Sequence, residues 1–421
     1  MMSKLSKPTL WFLGSSVAIY VVLQILVSTG LLNSFWDTII RIGAVMAIVS
    51  IGLNLIYGFN GQFSLGQWGF YAIGAYAAAD VTYRWTVNKS ADGLVILFLA
   101  TALSGASILW LHQRIAKVRG IDPLSAFTIY LTSTIAWSAL AFWVGITATP
   151  AVTALLNMLP AAIALQIVFI VAVLFSAILA AEISYLFGLP ILSLGSDYFG
   201  IATLGFTVIV KILLDNSDTL LGFVEMKGAR GMIGIPKITT LFWVFFFLMV
   251  VIVLVRNLLR SSYGRAIISV REDEIAAKAM GIDVAEYKIV AFVLGSFLAG
   301  LAGGLYAHIN GFLHPNTFNF IKSFDPMIII VFGGLGSITG TIFASFAWAL
   351  VLEGILRIFL PQGFETWRFV VYPLLLLVIM LLRPKGIFGD YEIPFLRQVL
   401  PKPRHPEKEK IEAEKIAEVQ P

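Results

Sequence analysis

The longest stretches of this chain without Asp, Glu, Lys or Arg extend over Thr9–Trp36, Ile42–Ala79, Leu124–Ala181, Ile289–Ile321 and Met327–Leu352. A bilayer span needs about 20 mainly apolar residues, so the longest of these runs must cross a membrane more than once. The runs are continuously apolar and do not alternate, which argues against spanning strands. In lipid the backbone must satisfy its own hydrogen bonds, and that leaves helices. Composition agrees: 59% of the 421 residues are hydrophobic and 13% charged, against roughly 25% charged in soluble domains. The predicted fold is all-α, a polytopic transmembrane helical bundle of about 10–12 spans, some of them broken or re-entrant. Spans are placed at 10–32, 36–57, 63–82, 94–111, 125–146, 161–186, 198–214, 239–258, 288–309, 324–338, 341–360 and 367–383.

The longest polar interruption is Arg260–Lys288, RSSYGRAIISVREDEIAAKAMGIDVAEYK. Its charges alternate with Ile267, Ile268, Val270, Ile275, Ala276, Ala279 and Met280 at spacings near three and four, which predicts an amphipathic helix with one face free to dock. Such a face needs a headgroup layer or a partner protein to cover it, and a protein partner is the reading adopted. With the N-terminus inside, this loop, both termini and the basic His112–Asp122 segment fall in the cytoplasm. Most of the 29 Lys and Arg then lie inside, as the positive-inside rule requires. The net charge of +5 is thus explained by orientation and gives no reason to expect nucleic acid. Lys4 and Lys7 precede an apolar segment too long for a cleaved signal, so it is expected to stay as the first span.

Ile51–Ala79 is dense in glycine and brings Asn54, Asn60, Gln62, Ser64 and Gln67 to membrane depth. Two readings stand: tight helix packing through small residues, or a broken helix beside a transport path. Leu124–Ala181 has room for two passes, with Pro150 and Pro160 marking the turn. Glu182 is placed near a helix end, and Asp197 is read as a helix N-cap. Asp215–Lys237 is expected to be an external segment, either an ordered, turn-rich loop or a short interfacial helix. Gly300–Gly304 and Gly336–Gly340 match the small-xxx-small packing pattern, and VFGGLGSITGT (Val331–Thr341) should break a helix. Asp325 and Glu353 flank that break and need partners.

No catalytic set stands out. The absence of cysteine excludes disulfide and thiolate chemistry. The four histidines lack metal-ligand spacing, with His308 and His314 expected to be solvated at an external helix end. No Gly-Lys pair exists for a phosphate-binding loop, so nucleotide hydrolysis, if used, belongs to another subunit.

Five blocks, read together in order, resemble the LivM-type permeases of the branched-chain amino-acid ABC importers. They are Gly52–Ala79, Asp197–Lys211, Gly264–Ala307, Phe332–Ala344 and Leu381–Gly389. The resemblance implies a permease domain over 1–400 with a charged cytoplasmic tail at 401–421, in a bacterial or archaeal cytoplasmic membrane. It also implies a second similar permease, two cytoplasmic ATPases that hold ATP and magnesium, and an extracytoplasmic binding protein. The chain itself is then no enzyme and binds no cofactor or metal. Glu274–Gly281 (EIAAKAMG) is similar to the importers' EAA coupling motif but one residue longer before its glycine. Arg271, Glu274, Ala276, Ala277 and Gly281 are the expected ATPase-coupling residues, and Asn54, Asn60, Gln62, Ser64, Gly333, Gly334 and Gly336 the expected path residues. The cargo is expected to be a branched-chain or related hydrophobic amino acid. Two alternatives remain: urea or short amides within the same family, or an ion-gradient-driven transporter using Asp197, Asp325 or Glu353.

Overall fold

The computed structural model describes residues 7–115, 123–192, 196–220, 222–356, 374, 377–378, 381–383, 385–389 and 391–396. Eight helices among the described residues are long and apolar enough to cross a membrane. The order is α1 (Lys7–Ser28), α2 (Ser34–Leu53, continued by a π-helical turn over Asn54–Phe59), α3 (Gln67–Thr86), α4 (Asp92–Ile115), α5 (Pro123–Asn157), α6 (Ala161–Leu192) and α7 (Ser196–Asp215). After α8 (Leu241–Arg260) come α9 (Ser262–Glu272), α10 (Glu274–Ala279), α11 (Val284–Asn310), α12 (Phe324–Gly333) and α13 (Ile338–Trp348), the last also continued by a π turn, Ala349–Ile355. Most of the expected span at 367–383 and all of the tail at 401–421 lie outside the described residues.

The centre and the periphery are set by how much of each helix other helices cover. In α2, 83% of the apolar window is buried within the chain, and in α5 only 17%, so α5 lies at the periphery of this chain while α2 is core. Helix α11 packs against α3, α6 and α2. Its glycine stripe makes this possible, since a Cβ on Gly300 would sit 2.6 Å from that of Ala180, and one on Gly303 would collide with the Tyr71 carbonyl. Without a hydrophobic drive between helices in lipid, such close backbone approach supplies the dispersion contacts that hold the bundle.

Several expectations are corrected here. Pro150 does not mark a turn: α5 runs through it to Asn157, and Pro160 alone ends the hairpin before α6. A membrane helix tolerates an internal proline because neighbours re-satisfy the freed carbonyl. The span expected at 324–338 is instead a ten-residue half-helix, α12. It stops at Gly334 and Gly336, whose φ angles of 119° and 84° lie outside the range helices allow. Gly336 therefore belongs to a turn, not to a Gly336–Gly340 helical stripe; Gly340 packs on Gly333 across that turn. Glu182 lies ten residues inside α6, buried, with Oε2 accepting from Ser104 Oγ at 2.6 Å. His308 is fully buried, 2.7 Å from both Thr82 Oγ1 and the Gly304 carbonyl, because α11 carries it under α3. The side chain of Asp197 lies outside the described residues.

The segment after α7 is ordered and turn-rich, with positive φ at Gly222, Gly228, Gly231 and Gly234. It also contains a strand that the sequence did not suggest. Met232–Ile233 (β1) pairs antiparallel with Phe312–Leu313 (β2), tying this loop to the end of α11.

Candidate functional site

The 260–288 loop is an elbow of two helices rather than one. Asp273 is extended (φ −160°) and its carboxylate caps α10, accepting from Ile275 N at 2.8 Å and Ala276 N at 3.0 Å. Gly281, at φ +82°, ends the turn, and Asp283 caps α11 in the same manner through Ala285 N and Glu286 N. The break rotates one half against the other. Ile267 and Val270 of α9 point into the bundle with Ala277, while Ile275 of α10 and Met280, just past its end, are each 82% exposed. The single apolar face expected from the sequence is therefore split, because the periodicity was read through a residue that is not helical.

Of the expected coupling residues, Ala276 and Gly281 lie on the exposed side and Ala277 packs inward beside Val270 and Val284. Glu274 forms an ion pair with Lys288 on α11, which straps the short helix to the long one. Arg271 reaches the bundle: its guanidinium donates to the carbonyl of Gly58 in the π turn after α2. Its stem also lies against Gly61, at φ +82°, where a Cβ would stand 3.3 Å from Arg271 Cγ.

That contact leads to Asn54. Its Nδ2 donates to Ser337 O (3.0 Å) and Thr341 Oγ1 (2.9 Å), and its Oδ1 accepts from Gly336 N (2.9 Å). One buried amide thus joins the break after α2 to the break between α12 and α13. A helix-interior Asn is free to do this because the π turn widens the backbone there. On the far side, Gly334 meets Lys385 and Gly389, while Ile387 N and Phe388 N donate to Phe332 O and Gly333 O, closing the end of α12 with the turn over 385–389. Glu392 caps α13, accepting from Ile338 N (2.5 Å) and Thr339 N (3.2 Å).

The segment from Asn60 to Gly66 is not helical and lies at the loop end of the bundle. Asn60 Nδ2 donates to Tyr287 O at 3.0 Å, and Ser64 Oγ accepts from Gly66 N at 3.3 Å. Gln62 and Gln67 are buried, yet neither amide has a partner among the described residues, nor does Asn60 Oδ1. The structure therefore gathers Asn54, Arg271, Gly58 and Gly336 into one contact set. Gln62 is brought instead to Glu274, Lys278, Asp283 and Lys288, around a cavity of about 310 Å³.

The sequence itself matches a known family. The model of the branched-chain amino acid transport system permease component aligns with residues 35–160 and 151–381. The chain belongs to that permease family. It is 26% identical over 411 residues to the high-affinity branched-chain amino acid transport system permease protein LivM of Escherichia coli (strain K12), covering 89% of this chain and 74% of the relative. It is 24% identical over 361 residues to the corresponding permease protein BraD of Pseudomonas aeruginosa, covering 84% and 94%. It is also 29% identical over 133 residues to the permease protein LivH of Escherichia coli, covering 32% and 42%. No solved structure matches the chain.

In this permease the residues that sequence reasoning missed are the ones that make the joints: Asp273, Asp283, Gly58, Lys288, Thr341 and Glu392. Asp283 was legible, since D-x-x-E before an apolar run is an N-terminus signature. Thr341 was not, because its partner Asn54 is distant in the chain, and Lys288 was not, because only the fold of the elbow brings Glu274 back to it. Asp325 and Glu353 are both near Lys322 Nζ, at 3.1 and 3.8 Å, which gives them the ion pairing the sequence demanded.

Proposed function

We propose that this chain is the membrane-spanning permease subunit of an ATP-driven importer that carries branched-chain or related hydrophobic amino acids into the cytoplasm by alternating access. The family match over most of the chain carries this reading. A second, similar permease completes the path, two cytoplasmic ATPases bind ATP and magnesium, and an extracytoplasmic protein delivers the cargo. Both termini and the 260–288 loop face the cytoplasm.

The exposed Ile275 on α10 and Met280 at its C-terminal end support docking of an ATPase, since two large apolar side chains so exposed to water call for a partner. Movement of α10 reaches the bundle by two ties. Glu274–Lys288 pulls on α11, and Arg271, one residue before the end of α9, pulls on Gly58 and so on Asn54 and the α12–α13 turn. The ion-gradient alternative gains nothing from Asp325 and Glu353, which sit in an ion pair with Lys322.

The test is purification through a tag with an assay for ATPase activity. Wild type should bring substrate-stimulated ATPase activity with it, and an Ile275→Asp, Met280→Asp double variant should retain the folded chain but lose that activity. Undiminished ATPase recovery with the double variant would refute the docking surface. A wild-type chain that never brings ATPase activity, yet transports under an ion gradient, would refute the importer reading.

A further inference from the structure

The cavity at the elbow has the composition of an amino-acid site. It lies between α10, the first turn of α11, the Asn60–Gly66 segment and the facing parts of α6 and α7. Its volume of about 310 Å³ is at the small end of small-molecule sites. Both signs of charge line it: Glu274 and Asp283 on one hand, Lys278 and Lys288 on the other. Leu192, Phe199 and Val284 supply an apolar wall.

Two observations separate this cavity from a solvated cleft between charges. Gln62 lines it and is 94% buried by its 6% exposure, while neither Nε2 nor Oε1 has a hydrogen-bond partner among the described residues. Burying an amide without partners is costly, so its retention here points to a group that completes it. Lys278 makes no ion pair among the described residues, whereas Glu274 and Lys288 pair with each other and Asp283 caps α11. The cavity thus offers a cation for a carboxylate, acidic groups and an amide oxygen for an ammonium, and a hydrophobic wall for a side chain. A neutral solute uses only the amide; a simple anion or cation leaves half of the charges idle.

We propose that this cavity binds a free zwitterionic amino acid with an apolar side chain at the elbow, where the ligand bridges α10 and α11. The carboxylate lies toward Lys278, the ammonium toward Glu274 and Gln62 Oε1, and the side chain against Leu192, Phe199 and Val284. This rests on the importer reading, since only that reading makes an apolar amino acid the cargo.

Equilibrium dialysis of the purified full-length chain in lipid nanodiscs, with labelled L-leucine as the probe, tests it. Wild type should bind one leucine. Isovalerate, which lacks the ammonium, and isoamylamine, which lacks the carboxylate, should compete poorly. Lys278→Glu, a change at an exposed side chain, should weaken leucine binding roughly tenfold to a hundredfold, the loss expected for a charged hydrogen bond. Gln62→Leu should do the same, with melting temperature checking its fold. Leucine binding unchanged in Lys278→Glu, or equal competition by isovalerate, would overturn the proposal. No leucine binding by a chain whose assembled complex still imports leucine would overturn the site and leave the importer reading intact. A complex that imports no leucine at all would be the separate failure of that reading.

Discussion

Replacing Asn54 by alanine should uncouple the two helix breaks, and the size of the effect follows from its contacts. Asn54 makes three hydrogen bonds, to Ser337 O, Thr341 Oγ1 and from Gly336 N. Polar contacts between membrane helices are worth roughly 0.6–1.7 kcal/mol each, so their loss costs about 2–5 kcal/mol. The three partners do not suffer equally. Ser337 O still accepts from Thr341 Oγ1 at 2.7 Å and from Thr341 N at 3.2 Å, so the orphaned group is the Gly336 N–H. A water entering the small void could reclaim that donor, which places the expected loss toward the lower end of the range. Ser50 is the control: one turn earlier on α2, fully buried, with an Oγ that has no partner among the described residues. Ser50→Ala should be neutral within about 0.5 kcal/mol. Reversible unfolding in mixed micelles, followed by tryptophan fluorescence, measures both. In the assembled transporter, Asn54→Ala should also lower transport per ATP hydrolysed. Equal stability of the two variants would refute the claim that this amide joins the α2 break to the α12–α13 turn.

Gly303→Val should prevent accumulation of folded protein, because the new side chain collides with the backbone of Tyr71 on α3, whereas Gly205→Ala, with open space around it, should express normally; membrane abundance and melting temperature separate them. Lys322→Met removes the cation between Asp325 and Glu353, and breaking a buried ion pair costs on the order of 3–5 kcal/mol; Lys322→Arg should restore most of it in the same unfolding assay.

Much of this fold was legible from local signals. Continuous apolar runs specify helices in lipid whatever their neighbours, and Gly334 and Gly336 announced the break they make. The loop at 260–288 was legible as a helical polar interruption, yet its single apolar face was misassigned, since one extended residue at Asp273 resets the helical phase and periodicity cannot register it. The burial of His308 and Glu182 was misread for a related reason: hydropathy locates a residue along a span but not which side of the helix meets a neighbour.

The sequence by itself determined that this chain is an α-helical membrane permease, where most of its helices lie, and which family it joins, because span length, charge asymmetry and ordered motifs are local and additive. Tertiary structure alone decided that Arg271 holds Gly58, that Asn54 bridges two breaks almost three hundred residues apart, and that Gln62 faces the charges of the elbow. Those facts depend on which helix faces which, and in a bilayer that choice is made by glycine-scale packing and a few buried polar pairs whose partners are remote along the chain.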